Sequence, residues 1–163
     1  MIETTPLPAT DDPTDEAFWS ATLRSKLVVQ KCDQCLRLRF PPRPMCPYCQ
    51  ALNHTWTELS GDASVWSFAT PRPPLLPAFE ALMPYVVVLA QLAEDPTIRI
   101  IGNLIAQPGS GIARVDTSQL EIGAKLRVAF RHCATDVALP CWVLAGEATP
   151  ESRDLPMPTE HQK

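Results

Sequence analysis

Hydrophobic positions between residues 18 and 27 recur at the spacing of an α-helix, which gives that segment one apolar face. Just before them, Asp12 is a residue type favoured as a helix N-cap, and Pro13 is favoured at the first helical position. The pattern therefore predicts a short helix over residues 13–25.

The predicted helix carries two adjacent large aromatic residues, Phe18 and Trp19. A helix of this length is marginal in isolation, so its apolar face must be buried against another surface. Two interpretations stay open at this point. The aromatic pair packs on the rest of its own chain, or it docks on a partner protein.

From Ala63 onward the pattern changes to short apolar runs that are separated by turn residues. Runs of strand length occur at 65–68, 85–92, 97–105, 126–130 and 137–144. Five short strands without a helical pattern between them predict a mainly β domain, and the five-stranded OB-fold barrel is the natural candidate. Three aromatic side chains, Trp56, Trp66 and Phe68, are expected in the core.

Between the helix and the strands lie two Cys-x-x-Cys pairs, Cys32 with Cys35 and Cys46 with Cys49, separated by ten residues. Each pair bends the backbone so that two sulfurs face one point, and two such turns complete a tetrahedral shell for a metal ion. The spacing predicts a rubredoxin-like zinc ribbon. Because all four positions are cysteine, with none open for water or substrate, the expected role is structural rather than catalytic.

Three other uses of these four cysteines compete with a zinc site. Disulfides are disfavoured in a reducing compartment, and a redox Cys-x-x-Cys normally occurs singly beside a βαβ pattern. A rubredoxin-like iron site uses the same four sulfurs, so iron remains an alternative to zinc.

The remaining cysteines and histidines form no catalytic pattern. Cys133 and Cys141 are expected to be small apolar fillers. On a strand, His132 and Cys133 would point to opposite faces, so they make no dyad. His54 could contact the metal ligands from outside, but a surface position is favoured. No catalytic residue is predicted.

Composition narrows the choice of partner and compartment. The chain has 163 residues, with 14 basic and 18 acidic side chains, and its net charge of -4 disfavours a nucleic-acid partner. Neither a signal peptide nor an apolar run long enough to cross a bilayer is apparent, so a cytoplasmic protein without a membrane partner is expected.

Many of the 18 prolines cluster at 41–47 and 71–84, which predicts stiff loops there.

The predicted organisation has four parts. Residues 1–27 form a disordered lead and the helix, and residues 28–60 form the zinc ribbon. Residues 61–146 form the OB-fold domain, and residues 147–163 form a disordered, proline-rich tail.

The order of these parts resembles the zinc-ribbon OB-fold family known as domain of unknown function 35, whose members are associated with acyl-CoA. The resemblance covers about residues 15–145. It is carried by Phe18-Trp19, the strings 30–35, 40–49 and 56–61, Arg72-Pro73-Pro74, the string 84–89, Gly102-Asn103-Leu104 and Leu139-Pro140.

The resemblance implies a function that composition does not. It implies an accessory subunit of a thiolase-like or aldolase enzyme that makes or breaks carbon–carbon bonds on acyl-CoA, including sterol side chains in lipid metabolism. The partner would supply the nucleophile. On this hypothesis Arg72 and its proline loop would belong to the channel or interface, while Arg43, Lys31 and Arg37 would meet CoA phosphates. A solvated surface charge is the simpler interpretation for each of these basic residues.

The alternative function is a module that binds single-stranded nucleic acid, since ribbons and OB folds both do so with basic grooves and stacking aromatic rings. Binding to an oligonucleotide would then fall steeply with salt. A third possibility is an interaction protein without a small-molecule ligand.

Overall fold

A computed structural model describes residues 6–146, so the tail predicted over 147–163 and the first five residues of the lead lie outside the described residues. The elements in chain order are α1 Glu16–Leu23, β1 Val28–Cys32, β2 Leu38–Arg39, β3 His54–Glu58, β4 Asp62–Ala69, α2 Pro77–Glu80, β5 Val87–Leu92, β6 Arg99–Leu104, β7 Lys125–His132 and β8 Ala138–Leu144. Within the described range, no helix is long and apolar enough to cross a membrane.

The N-terminal helix is shorter than predicted. The Asp12 side chain accepts the N–H of Thr14 at 2.7 Å, and its carbonyl accepts the N–H of Asp15 and of Glu16. These bonds close a turn ahead of the helix, so α1 begins at Glu16, with Asp15 as its N-cap, rather than at residue 13. Asp12 thus accepts the bonds that an N-cap accepts, although the regular helix starts later and Asp15 at its start makes no side-chain capping bond.

The cysteine-bearing segment forms a three-stranded antiparallel sheet in the order β2-β1-β3. Strand β3 was not predicted, because its sequence is too polar to mark a strand. It forms by pairing with β1 over five residues, from Val28 opposite Glu58 to Cys32 opposite His54.

The five predicted barrel strands are confirmed as β4 to β8. They close into a barrel in the order β4-β5-β6-β8-β7, and every contact is antiparallel except that between β6 and β8. That parallel contact joins only Asn103 to Cys141 and Leu104 to Trp142, whereas β7 and β8 pair over seven positions. The seam between β6 and β8 therefore has the fewest paired positions in the barrel wall, two against three between β4 and β7.

One apolar core joins the three parts of the chain. It includes Phe18 from α1, Val29 from β1 and Trp142 from the barrel, each at most 3% exposed. The Phe18 ring lies 5.2 Å from that of Phe40. The structure therefore places Phe18 in the core of its own chain, while Trp19 is only half-buried at its edge.

Two aromatic residues that were expected in the core are exposed instead. Trp66 is 48% exposed and Phe68 is 41% exposed, whereas Trp56 packs against the core as expected. Val65 is buried, so strand alternation directs the next residue, Trp66, outward. The pairing of β4 with β5 then shifts by one residue between Val65 and Ser67, and Ser67 is exposed as well. There the Arg99 guanidinium lies 3.7 Å from the centre of the Trp66 ring.

The turn between the ribbon and the barrel offers a test of the packing. Gly61 has a φ of 82°, and an added Cβ would collide with the side chain of Val128. Gly109 has a φ of 83°, but nothing lies within 4 Å of its Cβ position. We expect Gly61→Ala to lower the unfolding free energy by about 2–5 kcal/mol, because backbone strain and overpacking add together.

The matched variant Gly109→Ala should lose only about 1–2 kcal/mol, since strain acts alone there. Urea denaturation of both metal-loaded variants measures the difference. Equal losses would show that the Val128 contact is not limiting.

Candidate metal centre and adjacent groove

The two Cys-x-x-Cys turns have nearly the same backbone geometry. In the first, the N–H of Leu36 bonds the carbonyl of Cys32 at 3.0 Å, and in the second, that of Gln50 bonds the carbonyl of Cys46 at 2.9 Å. Leu36 and Gln50 have φ values of 61° and 63°, a left-handed conformation that side chains other than glycine adopt at a cost. This left-handed residue reverses the chain just after Cys35 in the first turn and just after Cys49 in the second.

The four predicted ligands converge. All four sulfurs lie within 4.8 Å of one another: those of Cys32, Cys35, Cys46 and Cys49. The sulfurs of Cys32 and Cys49 are 3.5 Å apart, and those of Cys35 and Cys46 are 3.7 Å apart. A tetrahedral zinc with sulfurs at about 2.3 Å requires sulfurs about 3.8 Å apart. The spacing therefore fits a metal-binding site of the zinc-ribbon type.

Backbone N–H groups prepare these thiols for deprotonation. Burial acts to raise the pKa of Cys46, but hydrogen bonds from the N–H groups of Tyr48 and Cys49 outweigh burial and lower this pKa to about 6. The N–H of Ala51 favours the Cys49 thiolate, yet burial and the neighbouring sulfurs raise the pKa of Cys49 to about 11. A bound cation would remove that repulsion, so metal binding should release protons.

A buried polar network lies behind the metal site, and the sequence did not reveal it. Gln30 is fully buried, and its side-chain oxygen accepts bonds from Nε of Arg39 at 2.6 Å and from the N–H of Arg43 at 2.9 Å. Arg39 is 4% exposed, and its Nη2 donates to the carbonyl of Arg43 at 3.1 Å. The only hint in the sequence is a glutamine within the apolar run of β1.

His54 belongs to the same network. Its Nε2 lies 3.0 Å from Nε2 of Gln30, and its backbone is paired with that of Cys32. It is half-buried, so the favoured surface position is only partly right.

The basic residues suggested as CoA contacts lie in two different parts of the molecule. Lys31 is half-buried on β1, and Arg43 is exposed in the loop after β2. Arg72 is exposed beside a cavity of about 300 Å³ in the proline loop between β4 and β5. Within residues 6–146 the charged ends of these three side chains make no ion pair or hydrogen bond. Arg37, also suggested, lies 4.6 Å from the centre of the Tyr48 ring and so bridges the two cysteine turns.

Of the two further cysteines, Cys141 lies on β8 opposite Asn103 of β6, and Cys133 follows β7 directly. Cys141 is 1% exposed, and burial raises the pKa of its thiol. The Sγ of Cys133 donates to the carbonyl of Arg131 at 3.3 Å.

A groove of about 390 Å³ runs between the ribbon and the barrel, and we call it the seam groove. One wall is formed by α1 and the loop after β2, and the other by β6 and β8. Its lining includes Pro8, Trp19, Phe40, Ile101 and Pro140. No sequence pattern indicates this groove, because it exists only where α1 meets the β6–β8 seam.

Comparison with known proteins gives a consistent relationship. The family model described as "ChsH2, rubredoxin-like zinc ribbon domain" matches residues 19–55, and that described as "ChsH2, C-terminal OB-fold domain" matches residues 56–131. A solved structure described as "Ltp2-ChsH2(DUF35) aldolase" is 32% identical, with a TM-score of 0.70 over 85% of this chain and 98% of that chain. The chain belongs to the DUF35 family. A further DUF35 structure, from Sulfolobus solfataricus, is 20% identical with a TM-score of 0.50 and shows the fold alone.

Two sequence relatives carry names that bear on function. A "Probable enoyl-CoA hydratase alpha subunit" of Thermomonospora curvata is 36% identical over 127 residues, which are 77% of this chain. The match spans only 36% of the length of that relative. A "DUF35 domain-containing scaffold protein" of Methanothermobacter thermautotrophicus is 29% identical over 109 residues. The match covers 66% of this chain and 74% of that relative.

The metal site predicts a specific consequence of losing one ligand. Cys46→Ser should release the metal and lower stability by about 3 kcal/mol or more, because the free energy of metal binding is part of the free energy of folding. Metal content by atomic emission, together with thermal melting, measures both effects. Cys133→Ser is the matched control and should keep its metal; a Cys46→Ser protein with full metal content would contradict the ligand assignment.

Proposed function

We propose that this chain is a non-catalytic accessory subunit of a thiolase-like or aldolase enzyme that makes or breaks carbon–carbon bonds on acyl-CoA. The observation that carries the proposal is the structural similarity to the Ltp2-ChsH2(DUF35) aldolase, which extends over 98% of the matched chain. The names of the two sequence relatives, a hydratase subunit and a scaffold protein, support the same class. The partner would supply the nucleophile, and this chain would supply an interface and part of the acyl-CoA channel.

The metal in this proposal is zinc, and its role is structural. Four cysteine sulfurs fill a tetrahedral shell and leave no position for water or substrate. Cys32, Cys35, Cys46 and Cys49 would hold the ion, which fixes the ribbon against the barrel. Iron would bind the same sulfurs, and metal analysis of protein purified without added metal distinguishes the two.

The compartment and the pathway belong to the proposal as well. We place the protein in the cytoplasm, where the cysteines stay reduced, and its substrates among the CoA esters of lipid metabolism, including sterol side chains. The division of the chain at residues 27, 60 and 146 also stays a prediction.

A specific observation favours the second candidate function. The Arg99 guanidinium stacks on the exposed ring of Trp66, an arrangement that could accept a nucleic-acid base. The net charge of -4 weighs against it. An oligonucleotide titration at low and high salt tests this function, because binding to phosphates weakens steeply with salt.

The test of the main proposal is purification of the tagged full chain from its native host. A thiolase-like or aldolase subunit at near-equal amount, together with acyl-CoA turnover by the complex, is the expected result. Recovery of nucleic acid, or of unrelated proteins alone, would reject the proposal.

The complex also tests the suggested CoA contacts. Arg72→Ala, Arg43→Ala and Lys31→Ala should each raise KM for acyl-CoA, by about tenfold where a phosphate hydrogen bond is lost, with kcat little changed. Steady-state kinetics of the reconstituted complex provides the measurement. Arg24→Ala removes an exposed charge just after α1 and is the control; equal effects from all four variants would indicate non-specific electrostatics.

A further inference from the structure

Four large apolar side chains stay exposed beside the two cysteine turns, and together we call them the ribbon tip. They are between 49% and 66% exposed: Leu36, Met45, Tyr48 and Leu52. The first three are direct sequence neighbours of one of the four cysteines, and the fourth follows Ala51, whose carbonyl accepts the N–H of Cys46 at 2.8 Å. Because the cysteine sulfurs converge on one point, the ribbon tip surrounds the metal site.

The clustering of these side chains indicates a surface that binds another protein. Single exposed apolar side chains are ordinary, whereas a group of them marks an interaction site. Ten large apolar side chains are exposed over residues 6–146, and four of them fall within residues 36–52. The cysteine turns hold these four in place before a partner arrives, so binding there costs little conformational entropy.

The charge of the ribbon selects the chemistry of the occupant. Residues 24–57 contain six of the 14 basic side chains of the chain but only one of its 18 acidic ones, Asp33. Basic groups stay in excess there even with the two negative charges that four thiolates leave on a bound zinc ion. Arg37 is exposed at the tip, 4.6 Å from the centre of the Tyr48 ring, and forms no ion pair with the described residues. The ribbon tip is therefore complementary to a segment with both apolar and acidic side chains.

The make-up of the ribbon tip favours a protein segment over a nucleic acid. Nucleic-acid bases stack on exposed rings, but the tip has a single ring, that of Tyr48, and the guanidinium of Arg37 already covers one of its faces. The other three side chains offer only aliphatic and thioether surface. Such surface contacts apolar side chains and gives phosphates nothing to bind.

The charge distribution also favours a different chain over a second copy of this one. Outside residues 24–57 the acidic side chains outnumber the basic ones by 17 to 8. A second copy would therefore have to bring another part of its surface to the ribbon tip. Such a head-to-tail contact forms rings or open filaments rather than a closed pair.

We infer that the ribbon tip binds an acidic segment of the partner subunit. Apolar side chains of that segment cover Leu36, Met45 and Leu52, and one of its carboxylates pairs with Arg37. The identity of the source rests on the proposed function, whereas the chemistry of the surface does not. The ribbon then has a second use, because the same turns that hold the metal also present a docking surface.

The first test measures the affinity of the full metal-loaded chain for the purified partner subunit. Leu52→Ser and Arg37→Glu should each weaken binding by about tenfold, because one removes apolar contact and the other reverses the charge that faces a carboxylate. The effect of Arg37→Glu should shrink at high salt, since exposed charge pairs are screened. Surface plasmon resonance at two salt concentrations provides the measurement.

Two variants in the barrel make the same chemical changes at exposed positions. Ile122→Ser matches Leu52→Ser, and Arg114→Glu matches Arg37→Glu. Both should bind the partner as the wild type does, while metal content and thermal melting of all four variants confirm that the ribbon is intact. Unchanged affinity in the two ribbon variants, or equal weakening in the two controls, would overturn the inference.

A crosslinking experiment identifies the occupant directly. The photoreactive residue p-benzoylphenylalanine replaces Leu52 in the reconstituted complex, and mass spectrometry maps the adduct. The expected adduct lies in a partner segment with more acidic than basic residues, and the same replacement of Ile122 should not label that segment. An adduct to nucleic acid, to a second copy or to a segment without acidic excess overturns the inference.

The inference and the proposed function fail in different ways. If a thiolase-like or aldolase subunit is recovered but neither ribbon variant weakens its binding, the partner docks elsewhere and only the inference fails. If no such subunit is recovered from the native host, the proposed function fails, and the source assigned to the acidic segment fails with it. Displacement of the partner by free CoA would assign Arg37 to a phosphate and would also overturn the inference.

Discussion

The convergence of four cysteine sulfurs on one point is the constraint on which the rest of this structure depends. The ribbon sheet has only two residues in β2 and five each in β1 and β3, too few to enclose a core. A metal ion bound to these sulfurs would hold the two cysteine turns together, and Cys32 lies at the end of β1. Because Val28 and Val29 on the same strand enter the common core, fixing the sulfurs also fixes the ribbon against the barrel.

The buried polar network links β1 to β2 and to the loop that follows β2. Gln30 joins the side chain of Arg39 to the backbone of Arg43, and so holds the loop that follows β2. The same loop presents Phe40 to Phe18 of α1 and to the seam groove. Arg39 is 4% exposed and its Nη1 has no hydrogen-bond partner, so the network leaves this buried guanidinium only partly satisfied.

The barrel wall has few paired backbone positions where β6 meets β8. Pro140 has no N–H, and a Cβ on Gly102 would lie 2.6 Å from the Pro140 carbonyl, so β6 and β8 approach closely there with little pairing. Helix α1 covers this seam without sealing it, which leaves the groove. The features that distinguish this chain from a simple OB barrel therefore gather where the ribbon, helix and barrel meet.

The sequence by itself determined the cluster of four cysteines and the five strands of the barrel. Cys-x-x-Cys pairs act through local backbone geometry, and alternating or β-branched runs reflect local burial, so both kinds of pattern are visible along the chain. It also placed the short helix, although three residues too early, because Asp12 suits a turn as well as an N-cap.

Only the tertiary structure decided what lies next to what. Strand β3 is polar and exists through its pairing with β1, and the alternation that follows buried Val65 put Trp66 on the surface. Packing also separated the two adjacent aromatic rings, with Phe18 in the core and Trp19 at its edge on the groove. Contacts between residues far apart in sequence depend on closure of the barrel and docking of the helix, and no local pattern encodes them.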